Sequence, residues 1–123
     1  MSPIAVPLGV VFDCAEPLRL AGFWQTLVGG EIDDRTTSPT WIGLGGVPHW
    51  RNMGFQKVPE GKAVKNRVHV DLDVNDLDAA VASAVALGAR KVGSVVEEET
   101  NWFQVMADVE DNEFCFILRK ARS

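Results

Sequence analysis

The sequence has no tyrosine, only two histidines (His49 and His69) and only two cysteines (Cys14 and Cys115). Without tyrosine, no phenolic acid, base or nucleophile is available. Two lone cysteines make no disulfide framework, and the absence of Cys-x-x-Cys and His-Glu-x-x-His removes the stronger zinc signatures. No Gly-x-Ser-x-Gly elbow occurs, and Ser83 falls inside a helical pattern, which argues against a serine hydrolase. Gly43, Gly45 and Gly46 hint at a phosphate loop. However, Pro48 stands where the third glycine of a dinucleotide fingerprint would fall, and no Lys-Ser/Thr follows, so the segment reads as a glycine-rich turn. Basic residues are in deficit: 12 Lys and Arg face 17 Asp and Glu, for a net charge of −5. Broad contact with nucleic acid or an anionic membrane is therefore not expected. The longest apolar stretch, around Ala79 to Leu87, is too short to span a bilayer. The first residues carry no basic region of a signal peptide, so a cytoplasmic setting is expected.

What is present is ordinary globular usage, 46% hydrophobic and 24% charged, over a 123-residue length that suits one domain. The most informative pattern is a faint repeat at an offset of about sixty. Val6 to Cys14 and Arg67 to Val74 read as strands. Each precedes an apolar-periodic segment, and these end at Gly29-Gly30 and at Gly88. Pro17 suits a first helical turn, followed by Leu20, Phe23, Trp24 and Leu27 at 3/4 spacing. Leu77, Ala80, Val81, Ala84 and Leu87 repeat that spacing, with Asn75 or Asp76 as a cap. Three strand candidates follow each helix: residues 31–36, 40–44 and 52–58, then 90–96, 102–107 and 113–119. Asp13 matches Asp73, Glu16 matches Asp76, and Trp41 matches Trp102, each tryptophan opening a short apolar run. The result is βαβββ twice: module one at about 6–58, a connector at 59–66, and module two at about 67–119.

Phe23-Trp24 through Gly29, the Arg67–Val74 strand with its His-x-Asp, Leu87-Gly-Ala89, and Asp108 to Phe116 are the most specific parts of that pattern. With the double βαβββ order, they make the chain resemble the vicinal oxygen chelate superfamily, which includes glyoxalase I, bleomycin-resistance proteins, fosfomycin-resistance enzymes and extradiol dioxygenases. Asp108 to Phe116 is similar to the family's Asp-Pro-Asp/Glu-Gly-Asn turn, with Val109 in place of proline and Asp111 in place of glycine. Aspartate tolerates a left-handed turn position better than most side chains do. The resemblance implies an α+β fold in which two βαβββ modules form an eight-stranded open cup with helices outside. Within the superfamily, the chain resembles the small bacterial glyoxalase-like proteins.

Strand alternation assigns faces independently of the resemblance. Val68, Val70, Leu72 and Val74 are expected to meet the helix, leaving Arg67, His69, Asp71 and Asp73 for the cup. Phe114, Phe116 and Leu118 are the core face of the last strand, leaving Glu113, Cys115 and Ile117. In metal-using relatives, ligands come from the first and last strands of both modules. By that resemblance the positions here fall on Gly9, Gln56, His69 and Cys115. Only His69 matches the usual pattern, Gly9 has no side chain, and a thiol at position 115 favours softer metals than magnesium, manganese or iron. No resident metal or other cofactor is expected, although a divalent ion at His69 with unconventional partners stays open.

Two function classes follow. One is a protein that binds a small organic molecule in the cup without a metal, with Gln56, Trp102, Glu113 and Cys115 as ligand contacts. The other is a glyoxalase-like enzyme in which His69 and Asp71 act as an acid–base pair or as metal ligands. A weaker third reading makes the paired modules a scaffold. The carboxylates around His69 favour an uncharged or cationic ligand over a polyanion. A homodimer is expected, with no nucleic-acid or membrane partner.

Overall fold

A computed structural model describes residues 3–5 and 7–120 of the chain. Eight strands and two helices follow in the order β1 (Val10–Cys14), α1 (Pro17–Val28), β2 (Glu31–Ile32), β3 (Trp41–Gly45), β4 (Met53–Lys57), β5 (Val70–Asp73), α2 (Leu77–Ala86), β6 (Arg90–Glu97), β7 (Asn101–Ala107) and β8 (Glu113–Arg119). They form an α+β structure of two compact units, Met1–Gly61 and Lys62–Ser123. Each unit holds one open, mixed four-stranded sheet, ordered β1-β4-β3-β2 in the first and β5-β8-β7-β6 in the second. In both, the first strand runs parallel to the last and the remaining pairs are antiparallel. No helix among the described residues is long and apolar enough to cross a membrane.

In the first unit Pro17 opens α1 at its first turn, and Leu20, Ala21, Phe23 and Trp24 are buried against the sheet. Their partners are Ile42 and Leu44 of β3 and Met53 and Phe55 of β4. Phe12 meets Trp24 and Phe55 edge-to-face, at centroid distances of 4.9 and 5.7 Å. Such edge contacts align the positive rim of one ring with the negative face of the next. Gly29 (φ 86°) takes the chain off the helix with a backbone conformation that other residues resist.

In the second unit Asp76 is the helix cap, its Oδ1 accepting the Ala79 N–H at 3.0 Å. Leu77 and Ala84 are the buried helix positions, facing Met106, Phe114 and Phe116 of the sheet. Val68, expected in that core, is 82% exposed. β5 begins at Val70 rather than Arg67: its partner β8 begins at Glu113, opposite residue 69, and leaves nothing for residues 67 and 68 to pair with. Likewise β1 begins at Val10, whose N–H reaches the Asn52 carbonyl at the edge of β4. The expected first residue of that strand, Val6, lies outside the described residues. β2 is only two residues long because Asp33 starts a side-chain turn, with Oδ1 accepting the Arg35 N–H at 3.0 Å.

The turn before β8 forms as its composition implies. Asp111 takes the left-handed conformation (φ 68°), while Asp108, buried, accepts the N–H groups of Glu110 and Asn112 at 2.8 and 3.0 Å. Gln104, also buried, donates its amide to the carbonyls of Val92, Gly93 and Val105. It thereby satisfies groups freed where the β6–β7 register shifts between Val92 and Val96.

Candidate functional site

In the second unit, alternation turns His69, Asp71 and Cys115 onto the face of the sheet away from α2. Asp71 and Cys115 are cross-strand partners, and His69 immediately precedes β5. The potential ligating atoms of the three lie within 4.8 Å of one another. His69 Nε2 stands 3.4 Å from Asp71 Oδ1, and both side chains are more than half exposed, so water screens the contact. Cys115 is buried beneath them. Burial first, and the Asp71 carboxylate second, push its thiol pKa up, with Lys65 acting in the opposite sense. The group is therefore a thiol and not a ready nucleophile at neutral pH.

Glu113, expected to contact ligand, is engaged within the chain. Oε1 accepts from Lys62 Nζ at 3.1 Å, Oε2 accepts the Asn66 N–H at 3.0 Å, and the Asn66 side-chain amide packs on the same residue. Burial would raise this carboxyl, but the hydrogen bonds from Asn66 and Lys62 outweigh it and hold the pKa below the usual range. Its role is to clamp the connector to the start of β8.

Trp102, also expected at the ligand face, stands on the other side of the sheet. It pairs with Leu118, shares its face with the buried Gln104 and Met106, and carries Lys120 Nζ 4.7 Å from its ring centroid. The residue on the open face is Phe103, opposite Ile117. The registers explain the displacement. Phe12 pairs with Phe55 and Phe55 with Ile42, just as Leu72 pairs with Phe116 and Phe116 with Gln104. Ile42 thus corresponds to Gln104, and Trp41 to Phe103 rather than to Trp102. By the same ladders the first-unit counterpart of Cys115 is Gly54. Gln56, expected among the site residues, corresponds to Ile117, lies opposite Trp41 and is exposed.

The first unit has a different open face. Gly9, Gly43, Gly45 and Gly54 occupy positions that correspond to His69, Val105, Ala107 and Cys115 in the second. The Trp41 indole lies over the cross-strand pair Gly43–Gly54: its Cζ2 is 2.6 Å from where a Gly54 Cβ would stand, and its Nε1 is 3.7 Å from the equivalent point on Gly43. A cavity of about 360 Å³ opens here, lined by Leu8, Val11, Trp41, Gly43, Gly45 and Gly54, with Asp33, Thr36 and Asn52 among its polar contributors. Alternation in 40–44 was the available signal for Trp41. The role of the glycines is visible only from what stands above them.

These features place the chain in a class of paired βαβββ proteins, and comparisons with known proteins agree. A glyoxalase/bleomycin resistance protein/dioxygenase family enzyme from Burkholderia phytofirmans superposes with a TM-score of 0.75 at 21% identity, over 90% of this chain and 96% of that one. A variant of the fosfomycin resistance protein FosX from Listeria monocytogenes, described as complexed with Mn(II) and 1S,2S-dihydroxypropylphosphonic acid, gives a TM-score of 0.76 at 11% identity, over 96% and 95% of the two chains. A glyoxalase/bleomycin resistance protein from Albidiferax ferrireducens gives 0.63 at 13%, over 92% and 98%. At these identities the likeness is one of fold. No curated protein matches the chain. Residues 9–117 match the glyoxalase-like domain family, and the chain belongs to that family, with the vicinal oxygen chelate fold.

The FosX variant is described with Mn(II), and the donors here can be tested against such a cation. In the first unit Gly9 and Gly54 supply no donor atom, and the Trp41 indole fills the space above Gly54. In the second, one of three donors is a thiol held protonated by burial and a neighbouring carboxylate. An imidazole, one carboxylate and a protonated thiol do not fit a hard divalent cation such as magnesium or manganese.

Proposed function

We propose that this protein binds a small organic molecule on the open faces of its sheets, through apolar contact and a few orienting polar groups rather than through a catalytic metal. The observation that carries this reading is the cavity of about 360 Å³ over the glycine-lined face of β3 and β4. Its size falls in the range of small-ligand sites, and its lining mixes apolar walls with a few polar atoms, the composition such sites use. A net charge of −5 supports excluding nucleic acid as the partner.

The test is a broad small-molecule screen by thermal shift, followed by calorimetry on wild type and Trp41→Leu, with elemental analysis of protein purified without chelators. Compounds that raise the melting temperature should lose about tenfold or more in affinity on Trp41→Leu. A library without a single binder would refute the reading. A second reading, a glyoxalase-like enzyme working through His69, is favoured by the 3.4 Å approach of His69 to Asp71. Near-stoichiometric metal that is lost on His69→Ala would establish it in place of the first.

A further inference from the structure

Four residues on the open face of the first unit are glycine, and not all for the same reason. Gly54 is accounted for by Trp41, whose ring occupies the space its side chain would need, and Gly43 by the Thr36 hydroxyl, whose oxygen lies 3.1 Å from a Cβ placed there. Gly9 is accounted for by Asn52, whose carbonyl oxygen lies 2.9 Å from a Cβ placed there. Gly45 has no such explanation. Its backbone is not in the left-handed region, and a Cβ built on it meets nothing within 4 Å. Neither conformation nor a close approach within the chain requires glycine at this position, and glycine weakens a strand. Yet Gly45 lines the cavity beside Gly43 and Trp41, so its missing side chain is part of what keeps that space open.

The cavity floor is therefore sheet backbone stripped of Cβ atoms, with a half-buried indole across one end. A branched aliphatic ligand would gain as much from a wall of valines. A flat ring gains specifically from a flat floor and from an aromatic neighbour. Asp33 is the charged residue in the cavity lining. The Asp33 carboxylate is held by the Arg35 guanidinium at 3.2 Å, and the Thr36 hydroxyl lies 3.1 Å from the point where a Gly43 Cβ would be.

From this we infer that the open face of β3 and β4 is a slot for a planar, fused heteroaromatic ring, seated on the Gly45 floor against Trp41 with a polar substituent toward Thr36 and the Asp33–Arg35 pair. The inference rests on the small-molecule reading above and names the ligand class of that site.

Calorimetry with quinoline, acridine and 9-aminoacridine, each against a saturated counterpart such as decahydroquinoline, tests it on wild type and Gly45→Val. A Cβ at position 45 meets nothing within 4 Å and valine suits a strand, so Gly45→Val should melt at or above the wild-type temperature. The planar compounds should bind about tenfold or more tightly than their saturated counterparts, and Gly45→Val should remove about tenfold or more of that affinity. Saturated compounds binding as well as planar ones, or planar binding untouched by Gly45→Val in a folded variant, would overturn the slot while leaving small-molecule binding intact. Should the planar panel fail while the broad library yields other ligands, the ring class is wrong. If neither set yields a ligand, the binding function falls with it.

Discussion

Replacing Gly54 by alanine places a methyl group where the Trp41 benzo ring now lies, and the structure sets the size of the consequence. Atoms Cη2, Cζ2 and Cζ3 of that indole all fall inside normal contact distance of the new Cβ, while the sheet backbone beneath is held by the β1, β3 and β4 ladders. The indole, half-buried, is the part that moves. A fully covered tryptophan buries about 200 Å², so roughly 100 Å² is at stake, or about 2.5 kcal/mol at about 25 cal/mol per Å². Alanine in place of glycine in a strand returns about 0.5–1 kcal/mol, for a net loss of about 1.5–2 kcal/mol. Gly45→Ala, with open space above it, should instead gain about 0.5–1 kcal/mol. Urea unfolding of the two variants beside wild type measures both quantities, and the tryptophan emission of Gly54→Ala should shift to the red as the indole enters water. Equal stability of Gly54→Ala and Gly45→Ala would refute the claim that Trp41 occupies the Gly54 position.

Two further outcomes follow from the second unit. Glu113→Gln should cost about 1–2 kcal/mol at pH 7 by weakening the clamp on Lys62 and Asn66. Because the Glu113 pKa is depressed in the folded state, that contribution is present above the ordinary glutamate pKa of about 4.3 and is lost as pH falls through the lower folded value. Urea titrations at pH 7 and near pH 3 should show the gap narrowing in acid, and a pH-independent gap would contradict the charge-assisted bond. For Cys115, iodoacetamide labelling at pH 8, followed by peptide mass spectrometry, should be slow. Asp71→Asn should speed it roughly two- to fivefold by removing the second cause of the raised thiol pKa. An unchanged rate would place the cause in burial alone.

The parts of the site that were legible in the sequence are those with a local signature. His69-x-Asp71 on a strand pattern implies two side chains on one face, and Asp71 and Cys115 meet because β5 and β8 pair in the register that places Val70 opposite Phe114. Glu113 lay on the expected strand, but its partners Lys62 and Asn66 come from a connector with no periodic pattern, and only folding brings them to it. Trp102 falls on the other side of the sheet because the halves were aligned on similar residues, whereas the ladders count hydrogen-bonded pairs. Gln56 keeps its expected face, opposite Trp41, but corresponds to Ile117.

Local chemistry determined the element order, the caps and the turns. Pro17 and Asp76 start the helices, Gly29 ends the first, and Asp111 accepts the left-handed turn, each through interactions within a few residues. Face assignment depends on register, and register is set by pairing between residues far apart in the chain. Because side chains alternate with a period of two, aligning Trp41 with Trp102 rather than Phe103 is a slip of one residue that sends a ring to the opposite side of the sheet. The same holds for the glycines of β3 and β4. In the sequence Gly43 and Gly45 read as part of a glycine-rich turn and Gly54 as one residue of a strand, and only the indole above Gly54 and the empty space above Gly45 show which is occupied within the chain and which is left open.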